Sequence, residues 1–203
     1  MEYKNRIADK LLRDKLEAMG AVLIEGPKAC GKTTTAEQQA KSIIYMDDPV
    51  KQEQYKQMAQ TNIRFLLEGE TPRLIDEWQH VPQFWDAIRF EVDHRDDDGQ
   101  FMLTGSAVPA DMKEIHHTGT GRYGWLTMRP MSLWESGEST GEVSLSDLFL
   151  TPDRIGALNK LTLPMLAFAA CRGGWPKSLQ KKTEKAALSQ VTEYYKAITN
   201  SDI

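Results

Sequence analysis

A glycine-bracketed run near the N-terminus carries the residue types that bind phosphate. Residues 26–33 read GPKACGKT and match the phosphate-loop pattern G-x-x-x-x-G-K-[ST] at every fixed position. An apolar run of strand character, residues 21–24, precedes the loop, and residues 34–40, which have helical character, follow it. The pattern and its strand–loop–helix context together predict a site for a nucleoside triphosphate. The alternative is a chance Gly-Lys turn between a strand and a helix.

The spacing of this loop suits the chemistry of a triphosphate. Backbone N–H groups in a glycine-rich turn form a concavity that binds anions, and Gly26 and Gly31 permit backbone angles closed to other residues. Lys32 would reach the β- and γ-phosphates, and the Thr33 hydroxyl would ligate Mg²⁺. The residues expected to contact the nucleotide are Gly26, Pro27, Lys28, Ala29, Cys30, Gly31, Lys32, Thr33 and Thr34.

A second run supplies the carboxylates that triphosphate hydrolysis needs. Residues 73–77 read RLIDE, a short apolar segment closed by Asp76 and Glu77. If the segment is a strand beside the phosphate-loop strand, Asp76 lies at its carboxyl end, where open α/β sheets bind ligands. Asp76 would hold Mg²⁺ through water, and Glu77 would be the general base for the attacking water. The alternative is an acidic surface turn after a short strand.

A third run, residues 101–106, is apolar and ends in Thr-Gly-Ser. On the same sheet it would place Thr104 and Ser106 near the γ-phosphate. One of the two hydroxyls could then bond to the phosphate or to the attacking water. A strand followed by a turn of small residues is the alternative.

Taken in order, these runs resemble the bacterial and archaeal AAA+-like P-loop ATPases. The resemblance covers most of the chain and rests on six motifs: GPKACGKTT at 26–34, YMDDP at 45–49, DEWQHVP at 76–82, LTGSA at 103–107, GRYGWLTMRPMSLWE at 121–135 and RGGWP at 172–176. It implies ATP and Mg²⁺ as cofactors, with Asp76 on the metal and Glu77 as the base. It also implies Thr104 or Ser106 as the sensor of the γ-phosphate. Arg122 becomes a candidate arginine finger or phosphate sensor.

The resemblance also implies the class of sheet and the extent of the protein. The sheet would have an extra strand between the two Walker strands, which are the strand before the phosphate loop and the strand ending in Asp76. Residues 42–46 would be that extra strand. Family members continue into a longer C-terminal domain, and this chain stops at Ile203, about where that domain would begin. We therefore expect a truncated member of the family.

Alternating strand and helix periods predict an α/β fold with a mainly parallel sheet of five strands. We expect an amphipathic helix over residues 5–19, one long polar helix over 50–67 and a helix over 82–94. The polar loop 107–121 would carry Arg122 toward a nucleotide, of its own chain or of a neighbouring subunit.

The polar, Gly-rich residues 136–142 predict a domain boundary. It would separate a P-loop ATPase core, residues 1–135, from a small helical segment, residues 143–203. A winged-helix-like arrangement is one form that this truncated segment could take.

Composition limits the function classes. The net charge of −4 argues against a broad nucleic-acid footprint, and no apolar run approaches the length of a membrane span. Two cysteines with no ligand cluster favour a reducing, cytoplasmic location. Residues 153–200 carry eight Lys and Arg against three Asp and Glu. This basic segment could contact DNA weakly through phosphates, although such a cluster is more often a solvated helix face.

Three functions are compatible with these residues. The first is a Mg²⁺-dependent ATP hydrolase that couples its nucleotide state to a conformational change, in a homo-oligomer if Arg122 acts on a neighbouring subunit. The second is a regulatory module in which nucleotide occupancy is the signal and turnover is small. The third is a small-molecule kinase, which ranks last because the Asp76–Glu77 pair favours activation of water.

Overall fold

The computed structural model describes residues 3–105, 118–154 and 156–201. The chain divides into two compact units, one being Arg6–Arg129 and the other Met1–Asn5 with Pro130–Ile203. The helices of the first unit are α1 (Ile7–Leu16), α2 (Lys32–Glu37), α3 (Gln52–Asn62), α4 (Arg64–Leu67) and α5 (Phe84–His94). Its strands are β1 (Ala21–Glu25), β2 (Ser42–Tyr45), β3 (Arg73–Asp76), β4 (Phe101–Thr104) and β5 (Tyr123–Thr127). Among the described residues, no helix has the length and apolarity to span a membrane.

The strands form one sheet in the order β2-β3-β4-β1-β5, and all four pairings are parallel. The predicted α/β fold with a five-stranded parallel sheet is confirmed. The sequence-based position of the extra strand is wrong, because β4 rather than residues 42–46 separates the two Walker strands. Burial agrees with the central position of β4 and the edge position of β2. All four residues of β4 are buried, as a central strand requires, whereas Tyr45 in β2 is exposed, as an edge strand allows.

The core lies on both faces of the sheet. Successive side chains of a strand point to opposite faces, so Leu23 and Val22 of β1 join different clusters. One cluster packs α5 against the sheet through Phe84 and Ile88. The other packs α1 through Leu12, which is fully buried. The amphipathic helix predicted near the N-terminus therefore covers the sheet, although it is shorter than expected.

The single helix predicted over residues 50–67 is wrong. Helix α3 ends at Asn62, and a separate helix, α4, begins at Arg64. The side-chain oxygen of Asn62 accepts a hydrogen bond from the backbone N–H of Arg64 at 3.1 Å. Asn side chains compete in this way for backbone groups, which favours a break at this point.

The second unit is helical in its described residues. Its helices are α6 (Leu133–Ser136), α7 (Leu145–Leu150), α8 (Leu163–Arg172), α9 (Pro176–Leu179) and α10 (Glu184–Ser201). The division from the first unit falls at Pro130, before the Gly-rich residues 136–142. Two contacts connect residues 130–142 with the later part of this unit. The Met131 N–H donates to the Gly174 carbonyl at 2.7 Å, and Arg172 pairs with Glu138 at 2.7 Å.

Candidate active site

The phosphate loop connects β1 to α2 at the carboxyl edge of the parallel sheet. Gly26 and Gly31 have φ angles of 146° and 103°, in the region that favours glycine. A Cβ atom on Gly26 would overlap the carbonyl oxygen of Met128. Ala29 also has a positive φ, 59°, so the loop holds a non-glycine residue in the left-handed region. Strain of this kind persists where surrounding contacts fix the backbone, and it is common at ligand sites.

Lys32 is the first residue of α2, and its side chain turns back over the loop. Its ammonium group donates to the carbonyl oxygens of Gly26 at 2.8 Å and Pro27 at 3.0 Å. The residue is buried, with 6% of its surface exposed. A buried ammonium group at the mouth of the loop can meet a phosphate with little loss of its own hydration.

The other residues predicted to contact the nucleotide are spread along this loop. Pro27, Lys28, Ala29 and Thr34 are exposed, whereas Cys30 is fully buried. Burial raises the pKa of the Cys30 thiol, so the thiol stays protonated near neutral pH and acts as a spacer.

The start of α2 and the ends of β3 and β4 bring two hydroxyl groups and a carboxyl group together beside the loop. The Thr33 hydroxyl donates to Asp76 Oδ1 at 2.7 Å, and the Thr104 hydroxyl donates to the same oxygen. Asp76 ends β3 and Thr104 ends β4, at paired positions of the sheet. Strand β4 lies between β3 and β1, so a strand does separate the two Walker strands, as the resemblance implies. Thr33 contacts Asp76 across the width of β4, because α2 begins above the carboxyl ends of the strands.

Asp76 is buried at this junction, with 5% of its surface exposed. Burial raises the pKa of its carboxyl group, while the hydrogen bonds from Thr104 and Thr33 lower it in part. A cation would offset the cost of keeping this carboxylate charged. The described residues contain no cluster of three or more His, Cys, Asp or Glu side chains that could hold a metal ion.

The donor set nevertheless fits Mg²⁺. This ion keeps several waters and is commonly bound by one or two protein oxygens together with substrate phosphates. Both hydroxyls bond to Asp76 Oδ1, and within the described part of the chain no hydrogen bond reaches Oδ2. Thr33 and Asp76 would therefore hold the ion, and the phosphates and waters would supply the remaining ligands.

Glu77 follows β3 with a φ of 53°, in the left-handed region, so the backbone leaves the strand conformation at this residue. The Gln79 side-chain amide donates to Glu77 Oε2. Gln79 lies in a short 3-10 helix, Trp78–His80, beside Gly105 at the end of β4. A Cβ on Gly105 would overlap Gln79 Oε1, so glycine at this position leaves room for the amide. The sequence motif contains Gln79, but its spacing gave no reason to assign it this contact.

Arg122 does not reach this site within the chain. It immediately precedes β5, so it lies at the amino edge of the parallel sheet, whereas the phosphate loop lies at the carboxyl edge. Its guanidinium pairs with Asp93 of α5 at 2.7 Å and lowers the pKa of that carboxyl group. Most of the loop predicted to carry Arg122 toward a nucleotide, residues 107–117, lies outside the described residues. The placement of Arg122 leaves the nucleotide of a neighbouring subunit as the one that it could serve, and this role stays a prediction. Ser106 lies outside the described residues.

Two contacts near the loop were not anticipated from the sequence. The Tyr45 hydroxyl donates to Glu37 Oε1 at 2.8 Å. Partial desolvation of this hydroxyl, together with the nearby Glu37 carboxylate, raises the pKa of Tyr45 to about 12. The buried Arg6 donates to the carbonyl oxygen of Cys30, inside the loop. Arg6 is twenty residues before Gly26, and a single arginine ahead of an amphipathic helix carries no sequence signal for such a contact.

Comparisons with known proteins agree with this geometry. The model of a family described as AAA domain matches residues 19–136. The Walker-type ATPase PABY2304 of Pyrococcus abyssi has a similar structure, with a TM-score of 0.53 and 12% identity over 98% of this chain and 74% of that one. C. elegans PCH-2 gives a TM-score of 0.45 and 16% identity over 92% of this chain and 66% of that one. No curated protein matches the sequence. Because the family match covers more than half of the chain, the protein belongs to the AAA domain family of AAA+-like P-loop ATPases.

Proposed function

We propose that this protein binds ATP with Mg²⁺ at the phosphate loop and hydrolyses the bond between its β- and γ-phosphates. One observation carries the proposal. The Thr33 hydroxyl of the loop lies 2.7 Å from Asp76 Oδ1 at the end of β3, so the two oxygen ligands expected for one Mg²⁺ meet in the folded chain. Family membership supports nucleotide binding, and the arrangement of the carboxylates supports hydrolysis.

The chain's own residues divide the work. Lys32 would turn from the Gly26 and Pro27 carbonyl oxygens toward the terminal phosphates and offset their charge. Thr33 and Asp76 would hold Mg²⁺, which neutralises charge on the phosphate oxygens when it is bound.

Glu77 would accept a proton from the attacking water. The water oxygen bonds to the γ-phosphorus as the bond to the bridging oxygen breaks, giving ADP and inorganic phosphate. Gln79 would hold the Glu77 carboxylate through its amide. Thr104 would keep Asp76 oriented through the hydrogen bond to Oδ1.

The test is a turnover assay on the wild type and on Glu77→Gln, with and without DNA. Wild type should release phosphate in the presence of ATP and Mg²⁺. Glu77→Gln should retain ATP binding and lose turnover about 100-fold or more, as expected on removing a general base. Turnover of Glu77→Gln at the wild-type rate would remove Glu77 from this role. Stimulation by DNA would indicate a contact with nucleic acid, for which the basic segment, residues 153–200, is the candidate.

The position of Arg122 favours a second candidate, a regulatory module in which ATP occupancy is the signal. An arginine at the amino edge of the sheet could serve only the site of a neighbouring subunit, so an isolated chain would turn over slowly. A homo-oligomer in which Arg122 completes the neighbouring site would instead be the hydrolase of the first candidate. If specific activity rises with protein concentration and Arg122→Ala abolishes that rise, Arg122 acts between subunits. Slow turnover at every concentration supports the regulatory function.

A further inference from the structure

Arg6 ties the segment before α1 to the interior of the phosphate loop. Its side chain is buried, with 7% of the residue's surface exposed. One terminal nitrogen, Nη1, donates to the carbonyl oxygen of Cys30 at 2.9 Å, and the other, Nη2, donates to the carbonyl oxygen of Arg129 at 2.7 Å. A guanidinium group presents its donors in a rigid fork, so it can fix the relative position of two carbonyl groups.

The contact with Cys30 determines the direction of a backbone donor in the loop. The carbonyl of Cys30 and the N–H of Gly31 belong to one trans peptide plane, in which they point in opposite directions. With the carbonyl directed toward Arg6, the Gly31 N–H is directed away from Arg6. Among the described residues, no hydrogen-bond acceptor meets this N–H. A donor that faces away from the protein interior in such a loop is suited to bind phosphate.

This peptide needs an external anchor. Ala29 and Gly31 on either side of Cys30 both have positive φ angles, 59° and 103°. Glycine permits several backbone conformations at little cost, so the peptide before Gly31 could rotate if nothing held it. The start of the loop has its own support, because Gly26 lies against the Met128 carbonyl. Arg6 supplies the corresponding support at the middle of the loop.

Helix α1 holds Arg6 in place. The backbone N–H of Arg6 donates to Asp9 Oδ2 at 2.7 Å, and the N–H of Asp9 donates to the Arg6 carbonyl at 3.1 Å. This reciprocal pair fixes the residue that precedes the helix. Leu12, one turn further, is fully buried against the sheet. The N-terminal helix therefore positions a charged side chain under the loop.

We propose that Arg6 is a positioning residue of the nucleotide site, which orients the Cys30–Gly31 peptide so that the Gly31 N–H faces the phosphates of ATP. This inference rests on the proposed nucleotide binding at the loop. It assigns a role in phosphate binding to a residue outside the phosphate-loop motif.

The test compares Arg6→Met with the matched control Arg73→Met. Arg73 is also buried and also donates to a backbone carbonyl, that of Leu66 at 2.9 Å, but it begins β3 at the edge of the sheet away from the loop. The affinity for MgATP is measured by calorimetry on both variants and the wild type, at a temperature where circular dichroism shows that all are folded. The amide resonance of Gly31 is followed by NMR during the same titration.

Arg6→Met should bind MgATP at least about fivefold more weakly than Arg73→Met, and its Gly31 resonance should shift less than in the wild type. A difference between the two variants of less than about fivefold would overturn the proposal. If Arg6→Met does not fold, the MgATP affinity of Arg6→Gln is compared with that of Arg73→Met instead, with the same fivefold threshold. Wild type that binds no MgATP would refute nucleotide binding itself, whereas wild type and Arg6→Met that bind equally would refute only the role of Arg6.

Discussion

Replacing the two threonines that share Asp76 Oδ1 separates a structural effect from a metal-binding effect. Thr33→Val and Thr104→Val each remove one hydroxyl that donates to this oxygen and keep the shape of the side chain. A hydrogen bond to a charged group contributes about 1.5–3 kcal/mol to stability. Thr104 is fully buried, so no water can replace its hydroxyl, and we expect a loss near the upper limit of about 3 kcal/mol. Thr33 is half-buried, so we expect a loss near about 1.5 kcal/mol.

Thermal unfolding at pH 7 without nucleotide measures the structural effect. Losses of this size correspond to decreases in Tm of roughly 5 to 10 °C for a unit of this length, with the larger decrease in Thr104→Val. Thr33→Ser keeps the hydroxyl and should unfold close to the wild type.

ATP titrations with Mg²⁺ and with a chelator measure the metal-binding effect. In the wild type and in Thr104→Val, Mg²⁺ should strengthen ATP binding. In Thr33→Val the increase in ATP affinity produced by Mg²⁺ should be smaller by about tenfold or more, because the variant lacks the hydroxyl ligand. An unchanged Mg²⁺ gain in Thr33→Val, or an equal loss in Thr104→Val, would refute the assignment of Thr33 to the metal.

Three further predictions test individual positions. Asp76→Asn should raise Tm at pH 7 and abolish Mg²⁺-dependent ATP binding. Burial raises the pKa of the Asp76 carboxyl group above its ordinary 3.8, so the folded wild type binds this proton more tightly than the unfolded chain does. The wild type therefore loses stability as the pH rises from 3.8 through the raised pKa. The gain in Tm of Asp76→Asn should vanish as the pH falls toward 3.8. Gly26→Ala should destabilise the protein more than Gly121→Ala and abolish ATP binding. Both glycines have a positive φ, but only at Gly26 would the Cβ overlap another atom, and equal Tm losses would contradict this. Arg122→Ala should bind ATP within about twofold of the wild type, since Arg122 pairs with Asp93 at the other edge of the sheet, and a tenfold weaker affinity measured by calorimetry would contradict its placement.

The phosphate loop could be predicted from the sequence because its function depends on contiguous residues. The pattern over residues 26–33 specifies backbone angles, a lysine and a hydroxyl within one turn, and its flanking strand and helix are local as well. The structure places these residues between β1 and α2, in the expected order.

The order of the strands could not be predicted in the same way. The chain visits β2 and β3 before β4, and short apolar runs do not specify which of them lies beside β1. Burial places the half-exposed β2 at the edge of the sheet, but β3 and β4 are both fully buried, so burial does not decide which of them lies beside β1.

The position of Arg122 was within reach of sequence reasoning. Once residues 123–127 are a parallel strand, the residue before it must lie at the edge opposite the phosphate loop. The composition of the polar loop 107–121 does not show this, and a role of Arg122 at the nucleotide of a neighbouring subunit stays a prediction. Arg6 differs, because its contact with Cys30 depends on how α1 packs on the sheet.

The most direct test of the central claim is the heat of MgATP binding to the wild type and to Lys32→Ala. The Lys32 ammonium lies within hydrogen-bond distance of the Gly26 and Pro27 carbonyl oxygens, at the mouth of the loop. Wild type should give a saturable titration with one site per chain, and Lys32→Ala should give no saturable heat. A wild type without binding heat, or a Lys32→Ala variant that binds as the wild type does, would contradict nucleotide binding at this loop.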